Sequence, residues 1–182
     1  MSKTKLLCSL NLLIACFSQS LYSDIKDYFP YNVGPSASNY GNTGIIELPN
    51  ARFMEEASLR FNFSSSYPYE YTSITATPFK WLEATYRYAE IKTAKYSPIA
   101  SYSGNQTLKD KGFDLKIKLF EESYIRPSIA LGLRDVAGTG LFSSEYIVAT
   151  KNFNNLDFSL GLGFGLLGTE GGIGPMGGSQ FK

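Results

Sequence analysis

Six charged residues, Glu83, Arg87, Asp114, Lys116, Lys118 and Arg134, sit where an alternating pattern turns polar. Between Phe113 and Leu119, the apolar Phe113, Leu115, Ile117 and Leu119 are interleaved with Asp114, Lys116 and Lys118. Successive side chains of a strand point to opposite faces, so these charges share one face and the apolar residues the other. A polar face of this kind is either simply hydrated or forms the selective lining of a lumen, and both readings stand. Leu156–Phe164 repeats the pattern, with Leu156, Phe158, Leu160, Leu162 and Phe164 against Asp157, Ser159, Gly161 and Gly163.

Other combinations carry less chemistry. The 182-residue chain has no histidine, which excludes Ser-His-Asp and Cys-His catalysis and any zinc site built on imidazole. Glu55-Glu56 and Glu121-Glu122 offer neighbouring carboxylates, but adjacent residues in a turn do not place an acid and a base across one bond. Gly163-Phe164-Gly165-Leu166-Leu167-Gly168 fits the GxGxxG pattern, yet no helical periodicity follows it and no βαβ unit fits around it. The expectation is therefore a non-enzyme with no catalytic residues, cofactor, metal or nucleotide. Lys and Arg number 17 against 16 Asp and Glu, so no basic surplus exists to hold nucleic acid.

The elements that must position the charges are strands. Met1–Phe17 has the form of a bacterial export signal, with Lys3 and Lys5 before a run from Leu6 to Ala15 too short to span a bilayer. Two cuts are legible. Leu13-Ile14-Ala15-Cys16 resembles a lipobox, making 1–15 the signal peptide and Cys16 a candidate for lipid attachment. Alternatively, cleavage follows Ser23 and Cys16 is an apolar filler. Removing the leader turns the formal net charge from +1 to −1. The second segment, 16–57, is rich in Gly, Pro and Asn and reads as periplasmic, with one short strand at 44–48 stopped by Pro49.

From residue 58 to 166 the pattern gives seven strands: 58–65, 70–77, 82–91, 113–120, 127–135, 144–151 and 156–165. Most approach the roughly 9–11 residues of a tilted membrane strand. Tight turns at 78–81 and 152–155 fall on one end, and a long connection, 92–112, on the other, as in barrels with short periplasmic turns and longer outer loops. Residues 167–182 read as a Gly-rich loop. Seven strands do not close an even-numbered bacterial barrel, so the chain reads as the N-terminal portion of something longer. The fold expected is an all-β, antiparallel, up-and-down outer-membrane β-barrel, incomplete as given.

Several blocks resemble the YjbH/GfcD family: 39–52 (Asn39-Tyr40-Gly41-Asn42-Thr43-Gly44 through Pro49-Asn50-Ala51-Arg52), 78–83 with Tyr86-Arg87-Tyr88, 109–116, 121–124 and 134–146. They come in the family's order, although Lys80 stands between Phe79 and Trp81 where Phe-Pro-Trp is expected. The resemblance implies an outer-membrane protein of a Gram-negative bacterium, often a lipoprotein, several times longer than this chain. It also implies a role in export or assembly of a surface exopolysaccharide. The partners implied are outer-membrane lipid, the polysaccharide and its export proteins, with no catalytic residues to carry over. A soluble periplasmic β-sandwich that binds glycan or protein is the alternative, because a half-buried antiparallel sheet alternates in the same way.

Overall fold

The structure, a computed structural model, describes residues 34–154 and 156–168. Residues 1–33, on which the expected export signal and Cys16 fall, and residues 169–182 lie outside the described residues. Two short strands come first, β1 (Gly44–Ile45) and β2 (Leu48–Pro49), paired as a two-rung hairpin. Seven longer strands follow: β3 (Ser58–Ser66), β4 (Tyr69–Phe79), β5 (Leu82–Lys95), β6 (Thr107–Phe120), β7 (Ser128–Arg134), β8 (Ser144–Phe153) and β9 (Leu156–Gly163). They form one antiparallel sheet in strict chain order, β3 to β9, curled into a half-barrel.

Three differences from the sequence pattern have physical reasons. Residues 92–112 are not one long connection: β5 runs on to Lys95 and β6 starts at Thr107, leaving 96–106, with one helical turn at Ala100–Ser103. The added stretch pairs Ile91 with Leu108, Glu90 with Lys109 and Ala89 with Asp110. Apart from Ala94 and Leu108 its side chains are polar or absent on both faces, so the strand continues by ladder hydrogen bonds without the alternation that would announce it. Residues 44–48 are not a single strand, because Ile46 takes a left-handed φ of 53° and reverses the chain, and Pro49 lies inside β2 opposite Gly44. At the other extreme β9 stops at Gly163, and Gly165 (φ 67°) opens a 3-10 turn over Gly165–Leu167.

The two faces of the sheet are inverted relative to a water-soluble fold. Tyr71, Ser73, Thr75, Glu83, Thr85, Arg87, Asp114, Lys116, Arg134 and Thr150 are buried on one face. Leu59, Phe61, Phe63, Phe113, Leu160 and Leu162 stand exposed on the other, with Leu160 at 82%. Register carries the apolar face across the sheet: Leu82 pairs with Ile117, Ile117 with Leu131, Leu131 with Ile147 and Ile147 with Leu162. At the end that carries the β4–β5 and β8–β9 turns, Phe79 stacks on Trp81 (5.6 Å) and Phe153 meets Phe158 edge-on (5.7 Å).

Candidate functional site

What buries the polar face is the chain's own residues 35–53, laid along it, together with the β7–β8 connection. Arg60 at the start of β3 donates to the carbonyls of Pro35 (3.0 Å) and Gly41 (2.9 Å), and Ser64 to that of Asn39 (2.7 Å). Gly41, with φ 97°, lies so close to β4 that a Cβ there would stand 2.6 Å from the Ser73 Cβ. Further along, the Ala51 N–H donates to Thr150 Oγ1 (2.8 Å), and Ser128 Oγ donates to the Ala51 carbonyl (3.0 Å).

Five of the six charged candidates are at most 3% exposed beneath this segment. Glu83 and Lys116, cross-strand partners on β5 and β6, form an ion pair at 3.2 Å. Thr43 donates to the same carboxylate through its amide (2.7 Å) and hydroxyl (2.5 Å). Lys116 Nζ donates to the carbonyls of Thr43 (3.1 Å) and Arg52 (2.7 Å) and sits 4.5 Å from the Phe53 ring centre. A buried carboxylate and ammonium persist only when paired and hydrogen-bonded, and the inner segment supplies the bonds that the pair alone lacks.

Arg87 and Arg134 occupy the other half of the face. Arg87 lies 3.7 Å from Asp110 Oδ2 and 3.6 Å from Asp114 Oδ2, under the Phe142 ring at 4.5 Å. The Asp135 amide donates to Asp114 (2.8 Å) and the Phe142 amide to Asp135 (3.2 Å), so the β7–β8 connection folds inward over Arg87. Arg134 donates to the Glu47 carbonyl (3.2 Å) and stacks on Tyr40 at 4.4 Å. Tyr40, Tyr71 and Phe142 form one apolar cluster with Ala89, and Ala51, Ala130, Tyr146 and Val148 form another. Lys118 is the exception among the six. It lies toward the sheet's end, paired with Glu121 at 3.1 Å and 5.0 Å from Phe53.

The model of the YjbH family, described as an exopolysaccharide biosynthesis protein, matches residues 36–180. The chain belongs to the YjbH exopolysaccharide biosynthesis family. It is 43% identical over 167 residues to a protein of Escherichia coli (strain K12) called an uncharacterized lipoprotein YjbH, which covers 92% of this chain. The chain spans 23% of that relative's length. No solved structure matches.

The YjbH match therefore takes in the inner segment together with the strands it lies on. Sequence reasoning missed most of that segment's partners. Asp110 is hidden because the apolar alternation of β6 begins only at Phe113, although Asp110, Gly112, Asp114 and Lys116 continue one face. Tyr40, Thr43 and Arg52 come from irregular stretches where no periodicity points to them, and Asp135, expected as the last residue of the strand 127–135, instead follows β7 with a left-handed φ of 57°. The neighbouring carboxylates are separated in role: Glu55 and Glu56 are exposed, while Glu122 is a structural tie. Arg52 joins Glu122 (2.6 Å) to Asp157 on β9 (2.7 and 2.8 Å), and Glu122 also holds Lys151 (3.1 Å) and the Asn152 amide (2.9 Å). The Asn152 amide, then Arg52 and Lys151, hold the Glu122 carboxyl down at about 2, and the Asp157 contact raises Arg52 above its ordinary value. Of the GxGxxG residues, Gly163 ends β9, and the 3-10 turn returns Leu167 against the Tyr146 cluster.

Proposed function

We propose that this chain is part of an outer-membrane β-barrel that takes part in export or assembly of a surface exopolysaccharide and does no chemistry of its own. The observation that carries the reading is the inversion of the sheet, whose exposed face is apolar and whose buried face is polar and charged. Lipid accepts an apolar outer face, and antiparallel strands in chain order satisfy one another's backbone groups between the two edge strands β3 and β9, the arrangement of a membrane wall that has still to close. The aromatic pairs Phe79–Trp81 and Phe153–Phe158 at one end suit the girdle such a wall carries at a membrane interface. A periplasmic sandwich would bury the Leu and Phe side instead, which counts against the soluble alternative. Membership of an exopolysaccharide family and the lipoprotein designation of the E. coli relative support an envelope location and the Cys16 anchor. Outer-membrane lipid, the polysaccharide and its export proteins are the partners.

The test has two arms in the native host. The full-length protein is expected in the outer-membrane fraction, resistant to carbonate and high salt, and deletion of its gene should lower surface polysaccharide. Recovery in the soluble periplasm would replace the barrel by the sandwich, and unchanged polysaccharide would remove the export role.

A further inference from the structure

We propose that the charged face beneath residues 35–53 is a binding track for a hydroxyl-rich saccharide chain, and that the inner segment occupies it as a stand-in that must lift for the saccharide to bind. This rests on the barrel and export reading above. The first support is how the segment is held. Between Gly41 and Arg52 its contacts with the wall are mostly main-chain amides and carbonyls, taken by Glu83, Lys116, Arg134, Thr75, Ser128 and Thr150. Carboxylate, ammonium, guanidinium and hydroxyl groups that accept from N–H and donate to C=O have the right inventory to bond sugar hydroxyls, each of which both donates and accepts.

The second support is what the segment leaves unmet. Ser73 Oγ, Thr77 Oγ1, Ser144 Oγ and the Nε and Nη1 of Arg134 are buried on this face with no hydrogen-bond partner among the described residues. A buried polar group without a partner is costly, so the segment fills the track without satisfying it. Tyr69 and Tyr71, stacked at 6.0 Å on β4, form an aromatic platform with Phe142, which meets both rings edge-on, and Tyr40 of the segment lies against Tyr71 and Phe142. A sugar ring has apolar C–H faces that suit such a platform and hydroxyl edges that suit the charged wall.

A reversible lock tests this in the full-length protein. Ala51→Cys with Thr150→Cys joins two positions that the 2.8 Å bond from the Ala51 amide to Thr150 Oγ1 brings side by side, so a disulfide formed there on adding oxidant ties segment to wall. Polysaccharide purified from the host is expected to bind the reduced double variant at least tenfold more tightly than the oxidised one, with single variants insensitive to oxidant. Equal binding by the two states, with the crosslink verified on a non-reducing gel, overturns the track. In producing cells the oxidised lock should lower surface polysaccharide at least tenfold, with recovery on adding reductant. Normal output from the crosslinked protein overturns the need for lifting. The binding arm does not depend on export, so failure of the export role and failure of the track are separately visible.

Discussion

Glu83 and Lys116 face each other across β5 and β6, 3.2 Å apart and each 1% exposed, and both bind Thr43 of the inner segment. The pair is thus the anchor of the segment as well as an element of the wall. Lys116→Met would leave the Glu83 carboxylate buried with only the Thr43 donors, a loss on the order of 3–5 kcal/mol for one partner of a buried pair. Urea unfolding of the full-length protein in bilayers should show it. Glu83→Gln with Lys116→Met together should recover part of the loss, because no lone charge then remains. A loss from Lys116→Met below about 0.5 kcal/mol, the size of an ordinary surface substitution, would show that the pair anchors nothing.

Side-chain direction on β9 separates two neighbours. Leu160 is 82% exposed on the apolar face, whereas Ser159 Oγ lies 2.8 Å from Thr150 Oγ1 on the polar one. Leu160→Arg should hinder insertion by about 2–4 kcal/mol if the residue lies near the bilayer midplane. Ser159→Arg should be tolerated. Folding efficiency into bilayers compares the two directly, and equal effects would reverse the assignment of faces.

The strands were legible where one side of the alternation was apolar, as in 113–119 and 156–163, because the exposed apolar face and the inward polar face differ sharply in residue type. They were illegible at 92–95 and 107–112, where Lys, Asp and Thr fall on both sides and only pairing with the neighbour defines the strand. The charged face was readable residue by residue, since Glu83, Arg87, Asp114 and Lys116 hold the strand period. What covers it was not. Residues 35–53 bind through main-chain atoms and left-handed turns at Gly41 and Ile46, which leave no hydrophobic periodicity in the sequence.

Acid should loosen the tie that Glu122 makes between the inner segment and β8. Glu122 is held at about 2, below the ordinary glutamate range near 4.3, by the Asn152 amide, Arg52 and Lys151. A carboxylate lowered on folding contributes stability that is full above the unfolded value and disappears as pH falls through the folded one. Stability should therefore decline between about pH 4.3 and 2, and Glu122→Gln should flatten that part of the profile while lowering stability at neutral pH. A variant profile parallel to wild type would place the acid sensitivity elsewhere.

Cys16 decides how the mature chain begins. The lipobox reading expects a lipid-modified Cys16 in mass spectra of the mature N-terminus, and a block in processing by Cys16→Ala. A mature chain beginning at Asp24 would transfer the cut to Ser23 and leave the barrel reading intact.

The last prediction concerns Gly132, paired with Tyr146 across β7 and β8. A Cβ at 132 would stand 1.9 Å from Tyr146 Cζ and 2.3 Å from Cε1, so the ring lies directly on the glycine backbone. Glycine within a strand commonly marks such a close approach, and here the absent side chain makes room for a ring that packs with Ala51 of the inner segment. Gly132→Ala should force the ring aside and destabilise by about 1–3 kcal/mol, the range of overpacking in a filled core. Tyr146→Ser removes the ring, so Gly132→Ala added to it should cost little. That non-additivity in a double-mutant cycle is the diagnostic. Additive losses would mean that the glycine serves the strand's backbone and not the ring.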